Sequence, residues 1–388
     1  MKSNKLKNIL CLIILSQLLL ASSCGEAETG NDTDASDNGP FDVVTVAPPE
    51  TSDTTAEPET EPEPETTEAP DLNEPEIINP LTGLEAEVDY ENRRPLAIMI
   101  NNIRVATPQE GISYADIMYE CIVEGGQTRL MMVVSDYENL PVVGSVRSSR
   151  EYYLDFAANH NAIYMHAGGS TQAYKEIKAR GVNNLDGVND NAISYRCFYR
   201  DNWRMSNMGY EHSLMTTGEK IVAGLEYKKY NTELAENFDS PLDFVPYDSP
   251  RIPDGGDASY LKVVYSYSHQ PYFEYNAAKN VYYRWQFLGD KHMDNTAGVQ
   301  ISFDNIIVLY CPTTSTNDSY KHMDVTTTGR GDGYYLYGGK YEKITWEKTN
   351  EDMPVKLYNE AGEELRVNRG KTFFQICTEA MKESTVIN

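Results

Sequence analysis

The chain has 388 residues, 59 of them Asp or Glu against 33 Lys or Arg, for a formal net charge of −26. Seventeen of the acidic residues lie between positions 25 and 76, and three lysines precede Cys24, so the remainder carries 42 acidic against 30 basic side chains. A body that acidic argues against nucleic acid as a partner and against broad adsorption to anionic lipid.

Lys2, Lys5 and Lys7 precede an apolar run from Ile9 to Ala21, and Ala21, Ser22 and Ser23 suit a signal peptidase pocket. The run is too short to persist as a membrane-spanning helix. A cysteine directly after small residues resembles a bacterial lipobox, although Ala21 stands where that pattern more often has Leu. The resemblance implies that residues 1–23 are a signal peptide and that the Cys24 thiol is lipidated, with the membrane as its partner. Each buried CH₂ is worth about 0.8 kcal/mol, so two or three acyl chains anchor stably. An ordinary secretory signal with a chance cysteine is the alternative. Residues 24–76 then read as a disordered acidic tether, typified by the run of alternating Glu, Pro and Thr from Glu57 to Glu65. Fully extended at about 3.1 Å per residue, it reaches roughly 160 Å.

Residues 77–238 alternate short β-rich runs with helical patterns, an α/β domain. Leu96 to Ile100 reads as a buried strand. Ile117 to Val123 and Arg129 to Val134 flank Gly125-Gly126 as a hairpin. Val142 to Val146 leads into a helix from about Ser148 to His160. Ile163 to His166 is a strand, and Thr171 to Arg180 is a helix stopped by Gly181. Residues 239–257, rich in Asp, Pro, Gly and Ser, read as an interdomain linker. Residues 258–388 are runs of Tyr, Val, Ile, Phe and Trp broken by Asp332-Gly333, Gly338-Gly339 and Ala361-Gly362, a mainly β C-terminal domain. Lys-His-Met-Asp occurs at 291–294 and at 321–324, a match short enough for coincidence. Cys121, Cys197, Cys311 and Cys377 lack metal-ligand spacing, and three of them sit in apolar runs, so buried free thiols are expected. No cofactor fingerprint and no metal site is evident.

Three polar clusters are candidates for chemistry. His166-Ala167-Gly168-Gly169-Ser170-Thr171 joins a strand to a helix. Its glycines free the backbone, Ser170 caps the helix, and His166 is a candidate acid/base. Gly144 to Arg150 also leads from strand to helix, and Arg147 and Arg150 suit a carboxylate or phosphate, unless they pair internally with Glu151 or Asp155. Were the two junctions adjacent at one sheet edge, they would form one crevice. Arg200, Asp201 and Arg204, with His212 as a second candidate acid/base, form the third cluster, although local salt bridges in a solvated loop account for them nearly as well. Ser170, His166 and Asp186 contain the chemical types of a catalytic triad. Tyr283-Arg284-Trp285 and His292-Met293-Asp294 suit either a sugar-binding face or a β-rich core. Arg330-Gly331-Asp332 spells an adhesion tripeptide in what reads as a Gly-rich turn.

Asn79-Pro80-Leu81-Thr82-Gly83, Arg94 to Asn102, Val123 to Gly126, Gly144 to Arg150, His166 to Ser170 and Phe198 to Asp201 together resemble the YerB-like lipoproteins, whose domain is one of unknown function. Tyr283-Arg284, His292-Met293-Asp294, Thr296-Ala297-Gly298 and Gly370-Lys371-Thr372 resemble that family's C-terminal domain. The resemblance implies an α/β domain followed by a β-rich one and a Gram-positive type of cell surface. Ser206 to Ser213 departs from the family's usual Ala-Pro-His-Asn form, with Glu211 in place of Pro and Ser213 in place of Asn. Three readings follow: a surface lipoprotein binding an anionic or carbohydrate-like envelope ligand, an envelope-polymer hydrolase using His166 or His212, or a scaffold that docks an exported protein.

Overall fold

The computed structural model describes residues 75–388, so the signal run, Cys24 and nearly all of the acidic tether lie outside the described residues. Eleven strands join in one sheet. In chain order they are β1 Leu96–Asn101, β2 Ile117–Ile122, β3 Thr128–Val134, β4 Ile163–His166, β5 Asn184–Asp186, β6 Gly256–Asp257, β7 Asn305–Cys311, β8 Gly329–Tyr337, β9 Lys340–Lys348, β10 Lys356–Asn359 and β11 Thr372–Thr378. Their spatial order is β6-β9-β8-β7-β11-β2-β3-β1-β4-β5, with β10 beside β9. Both halves of the chain therefore share one hydrogen-bonded layer. They join where β2 runs parallel to β11, from Ile117 opposite Thr372 to Glu120 opposite Gln375. The 239–257 stretch contributes strands of its own: Asp243–Phe244 pairs with Arg366–Val367, and β6 pairs with β9.

Leu96 to Asn101 are all buried, as a strand paired on both sides and covered on both faces requires. The expected hairpin forms, with β2 and β3 antiparallel and Ile122 opposite Thr128. Its turn needs Gly126, whose φ is +69° and where a Cβ would come within 2.8 Å of the Ser266 Cβ, so the turn lies hard against the second half.

The helices are α1 Glu151–Ala158, α2 Thr171–Ala179, α3 Asn191–Cys197, α4 Asn202–Asn207 and α5 Gly218–Lys228. Side chains of Ser170, Asp190, Asp201 and Thr217 cap α2 to α5 by accepting first-turn N–H groups. Gly181 follows α2 at a φ of +63°, as its sequence predicts. Helix α1 begins later than the sequence pattern predicts, because the chain up to Arg150 stays extended.

A six-stranded sheet built from Tyr260–Lys262, Tyr272–Asn276, Val281–Gln286, Asp290–Lys291, Ser302–Phe303 and Val386–Ile387 covers β11. Phe273 and Phe303 meet Phe373 edge-on, with ring centres 5.1 and 5.0 Å apart. Each such side chain contributes about 1.5–3 kcal/mol by leaving water. Arg330-Gly331-Asp332 lies within β8 rather than in a turn, because Gly331 packs against the Trp346 indole across the β8–β9 pairing. Cys121, Cys197, Cys311 and Cys377 are free and buried, and burial pushes the Cys197 and Cys311 thiols up to about 12.

Candidate functional site

Strands β1, β4 and β5 run parallel, so their C-terminal ends share one edge of the sheet, where open α/β sheets offer a crevice. The two strand-to-helix junctions meet there. Arg147 N donates to Met99 O at 2.9 Å and Ala167 N to Arg147 O at 3.0 Å. Ser149 N donates to Gly168 O at 2.9 Å and Ser170 N to Ser149 O at 3.2 Å. The extended Arg147–Arg150 segment is thereby stitched to both strand ends.

The side chains at this edge divide into structural and available groups. His166 is fully buried against Tyr164; its Nδ1 donates to Gly168 O at 2.8 Å and its Nε2 lies 3.1 Å from Asn184 Oδ1. Ser170 Oγ accepts from Ala173 N and donates to Glu151. Asp186 accepts from Gly168 N and from the Tyr174 hydroxyl. With these commitments, Ser170, His166 and Asp186 do not form a hydrogen-bonded triad. Gly168, at a φ of +78°, and Gly169, bridged to Ser149, shape the turn that holds them. Asp201 caps α4. Arg204 is buried and donates to the carbonyls of Ala106, Pro108 and His212 at 2.6, 3.0 and 3.0 Å, which pins the His212 turn to the loop after β1.

His212 Nδ1 accepts from Asn101 Nδ2 at 2.9 Å, which leaves the ring proton on Nε2. Burial, then the charges of Arg147 and Arg204, hold its pKa below the ordinary histidine value, so the ring is neutral near pH 7.

The arginines have other partners than Glu151 and Asp155. Arg150 pairs with Glu124 and Arg147 with Glu211, while Asp155 pairs with Arg180. Arg129, at the start of β3, completes the group: Nη1 donates to Ser148 O at 3.0 Å and Nη2 lies 3.7 Å from Glu124 Oε2. His322 Nε2 is 3.4 Å from the same carboxylate. Burial, then the Arg150 charge, lowers the Arg129 guanidinium to about 10, and the one Glu124 carboxylate faces two guanidinium groups. A cleft of about 420 Å³ opens over this group, lined by Asn101, Arg104, Glu124, Arg129, Arg147 and Phe287 among others.

Beneath the cleft lies a polar network joining the two halves. Glu120, fully buried, accepts from Arg284 at 2.6 Å, Thr128 at 2.7 Å, Gln375 at 2.8 Å and Asn102 at 3.0 Å, with His269 Nε2 at 2.9 Å. Arg284 also meets His292 Nδ1, and His292 Nε2 lies 3.2 Å from Gln109. Burial alone would raise the Glu120 pKa, but Arg284, His269 and Thr128 hold it well below the usual carboxylate range. Arg284 and His292 are thus core groups rather than a sugar-binding face. Sequence reasoning passed over Arg129 and Glu120. The available signal was a charged residue inside an apolar strand, which must be paired or functional. Among the described residues, no group of three or more His, Cys, Asp or Glu is placed to hold a metal ion.

Two family models match, the N-terminal domain of "Protein of unknown function (DUF3048)" over residues 81–231 and its C-terminal domain over residues 261–374. A relative from Bacillus subtilis (strain 168), named "Putative lipoprotein YerB", is 27% identical over 301 residues, covering 76% of this chain and 85% of the relative. The crystal structure of YerB protein from Bacillus subtilis matches with a TM-score of 0.68 at 24% identity, over 80% of this chain and 99% of that one, a likeness of fold. Among the described residues, no helix is long and apolar enough to cross a membrane.

Proposed function

The chain belongs to the DUF3048 family of YerB-like lipoproteins, and from that premise we propose a protein lipid-anchored at the outer face of the cytoplasmic membrane that binds an anionic envelope ligand over Arg129 and Arg147. The lipid on Cys24 ties it to the bilayer of a Gram-positive type of envelope, and the acidic tether carries the body outward. One observation carries the binding reading. Arg129 and Arg150, both buried, face the single carboxylate of Glu124 beneath an open cleft, with Arg147 on its wall, so a carboxylate or phosphate entering there neutralises charge that the protein leaves uncompensated. The test is calorimetric titration of the full chain with galacturonic acid and with inorganic phosphate, comparing wild type with Arg129→Gln and Arg147→Ala. Loss of affinity in both variants supports the site; equal affinity in all three removes it.

A second reading, hydrolysis of an envelope polymer, draws support from His212, neutral, oriented by Asn101 and within the field of Arg147. Product release from wall material that disappears with His212→Ala would favour it over binding alone.

A further inference from the structure

Arg147 lines a second cleft as well, of about 400 Å³, whose wall includes Phe198, Tyr199, Arg200, Tyr210 and Glu211. The two clefts differ in what they leave open. In the first, the Arg104 guanidinium lies over Phe287, 4.7 Å from the ring centre, but its Nη1 pairs with Asp290 at 2.8 Å and the ring is buried, so that cleft offers cations rather than a ring face. In the second, Arg200 lies over Tyr210 at 3.8 Å, and its Nη1 donates to Tyr210 O at 2.6 Å, which fixes the pair. Tyr210 nonetheless stays 64% exposed, so ring surface remains open to solvent beside a fixed cation. A flat apolar surface next to a guanidinium matches a sugar ring that bears a carboxylate, since the ring's C–H face stacks on the aromatic while the acid pairs with the arginine. A single acidic group would need only the cations of the first cleft, Arg129 and Arg147, whereas the second adds an exposed ring beside Arg200, with Arg147 common to both clefts.

We propose that the ligand is an acidic polysaccharide, and that successive parts of one chain occupy the two clefts with Arg147 between them. This rests on the reading of the first cleft as an anion site and extends it from a charge to a polymer. Occupying the second cleft is then an intramolecular event for a ligand already held in the first, so affinity rises with chain length.

The experiment titrates the full chain with galacturonic acid and with a six-unit oligogalacturonide, in wild type and in a Tyr210→Ala, Arg200→Gln double variant. Both side chains are at the surface, and a thermal melt matching wild type confirms that the variant folds. The expected result is at least tenfold tighter binding of the six-unit probe by wild type. The variant still binds the single sugar acid in the first cleft and loses the length-dependent gain. Equal affinity of wild type for the two probes, or an unchanged gain in the variant, overturns the two-cleft proposal. Failure of galacturonic acid to bind wild type at all is a different outcome, which overturns the anion reading of the first cleft together with this extension.

Discussion

Glu120 and Arg284, 164 residues apart in sequence, form a fully buried ion pair, with Arg284 Nη2 donating to Glu120 Oε2 at 2.6 Å. One partner comes from β2 and the other from the sheet that covers β11, so the pair ties the two halves of the chain beneath the cleft. Thr128 both lines the cleft and donates to Glu120, which couples the cleft floor to this pair.

Removing the charge of Glu120 strands a buried guanidinium. Glu120→Gln is expected to cost about 3–5 kcal/mol in urea unfolding, whereas the paired replacement Glu120→Leu with Arg284→Met costs less, because no buried charge is left alone. The depressed folded pKa of Glu120 also sets a pH dependence. Its stabilisation is fully present above its unfolded value of about 4.3 and is lost as pH falls toward the folded one. Acid unfolding curves of wild type and Glu120→Gln should therefore converge below that value.

Asp155 and Lys348 predict opposite slopes. Burial outweighs Thr327 and Arg180 and raises Asp155 to about 6, so the folded state holds a proton that the unfolded chain has released, and stability falls as pH rises from about 4 to 6. Burial lowers Lys348 to about 8, so stability rises between pH 8 and about 10.4, where the unfolded chain still binds the proton that the folded state has lost. Asp155→Asn is expected to flatten the first limb and Lys348→Met the second, in urea midpoints measured across pH.

Helix α5 passes α3 at a point where no side chain fits. A Cβ at Gly224 would stand 2.0 Å from the Cys197 Sγ. Gly224→Ala is expected to destabilise by about 1–3 kcal/mol through overpacking. Adding Cys197→Ala removes the obstructing sulfur and should restore part of the loss, visible as a higher melting temperature than that of Gly224→Ala alone. A double variant no more stable than the single one would place the strain elsewhere.

Glu211 occupies the guanidinium that an anionic ligand would need, and its own side chain is largely exposed. Exposed pairs contribute about 0.2–1 kcal/mol, so Glu211→Gln should tighten galacturonic acid binding by at most about fivefold. Weaker binding in that variant would mean that Glu211 helps to hold the ligand rather than competing with it.

What could be read before folding was local. Leu96–Asn101, Ile163–His166 and the capped helix from Ser170 to Gly181 follow from apolar runs, β-branched residues and a glycine stop, all properties of neighbours in sequence. Cysteines embedded in apolar runs were readable as buried thiols for the same reason. The family, too, was visible as short motifs. The candidate site was half legible: Arg147, Arg150, Gly168 and Ser170 belong to junctions that do meet, because parallel strands place their C-terminal ends side by side. His166 and Arg204 have the chemistry of a site, but burial and carbonyl partners commit them to holding turns.

By itself, then, the sequence determined the element types, the family and which polar segments were candidates, since these depend on spacing along the chain. Only the tertiary structure decided which arginines gather around Glu124 at an open cleft, and that β2 and β11 merge the two halves into one sheet. Those outcomes depend on contacts such as Glu120 with Arg284 and Arg129 with Glu124, whose strength comes from desolvation and exact distance, and neither exists until the chain has closed around them.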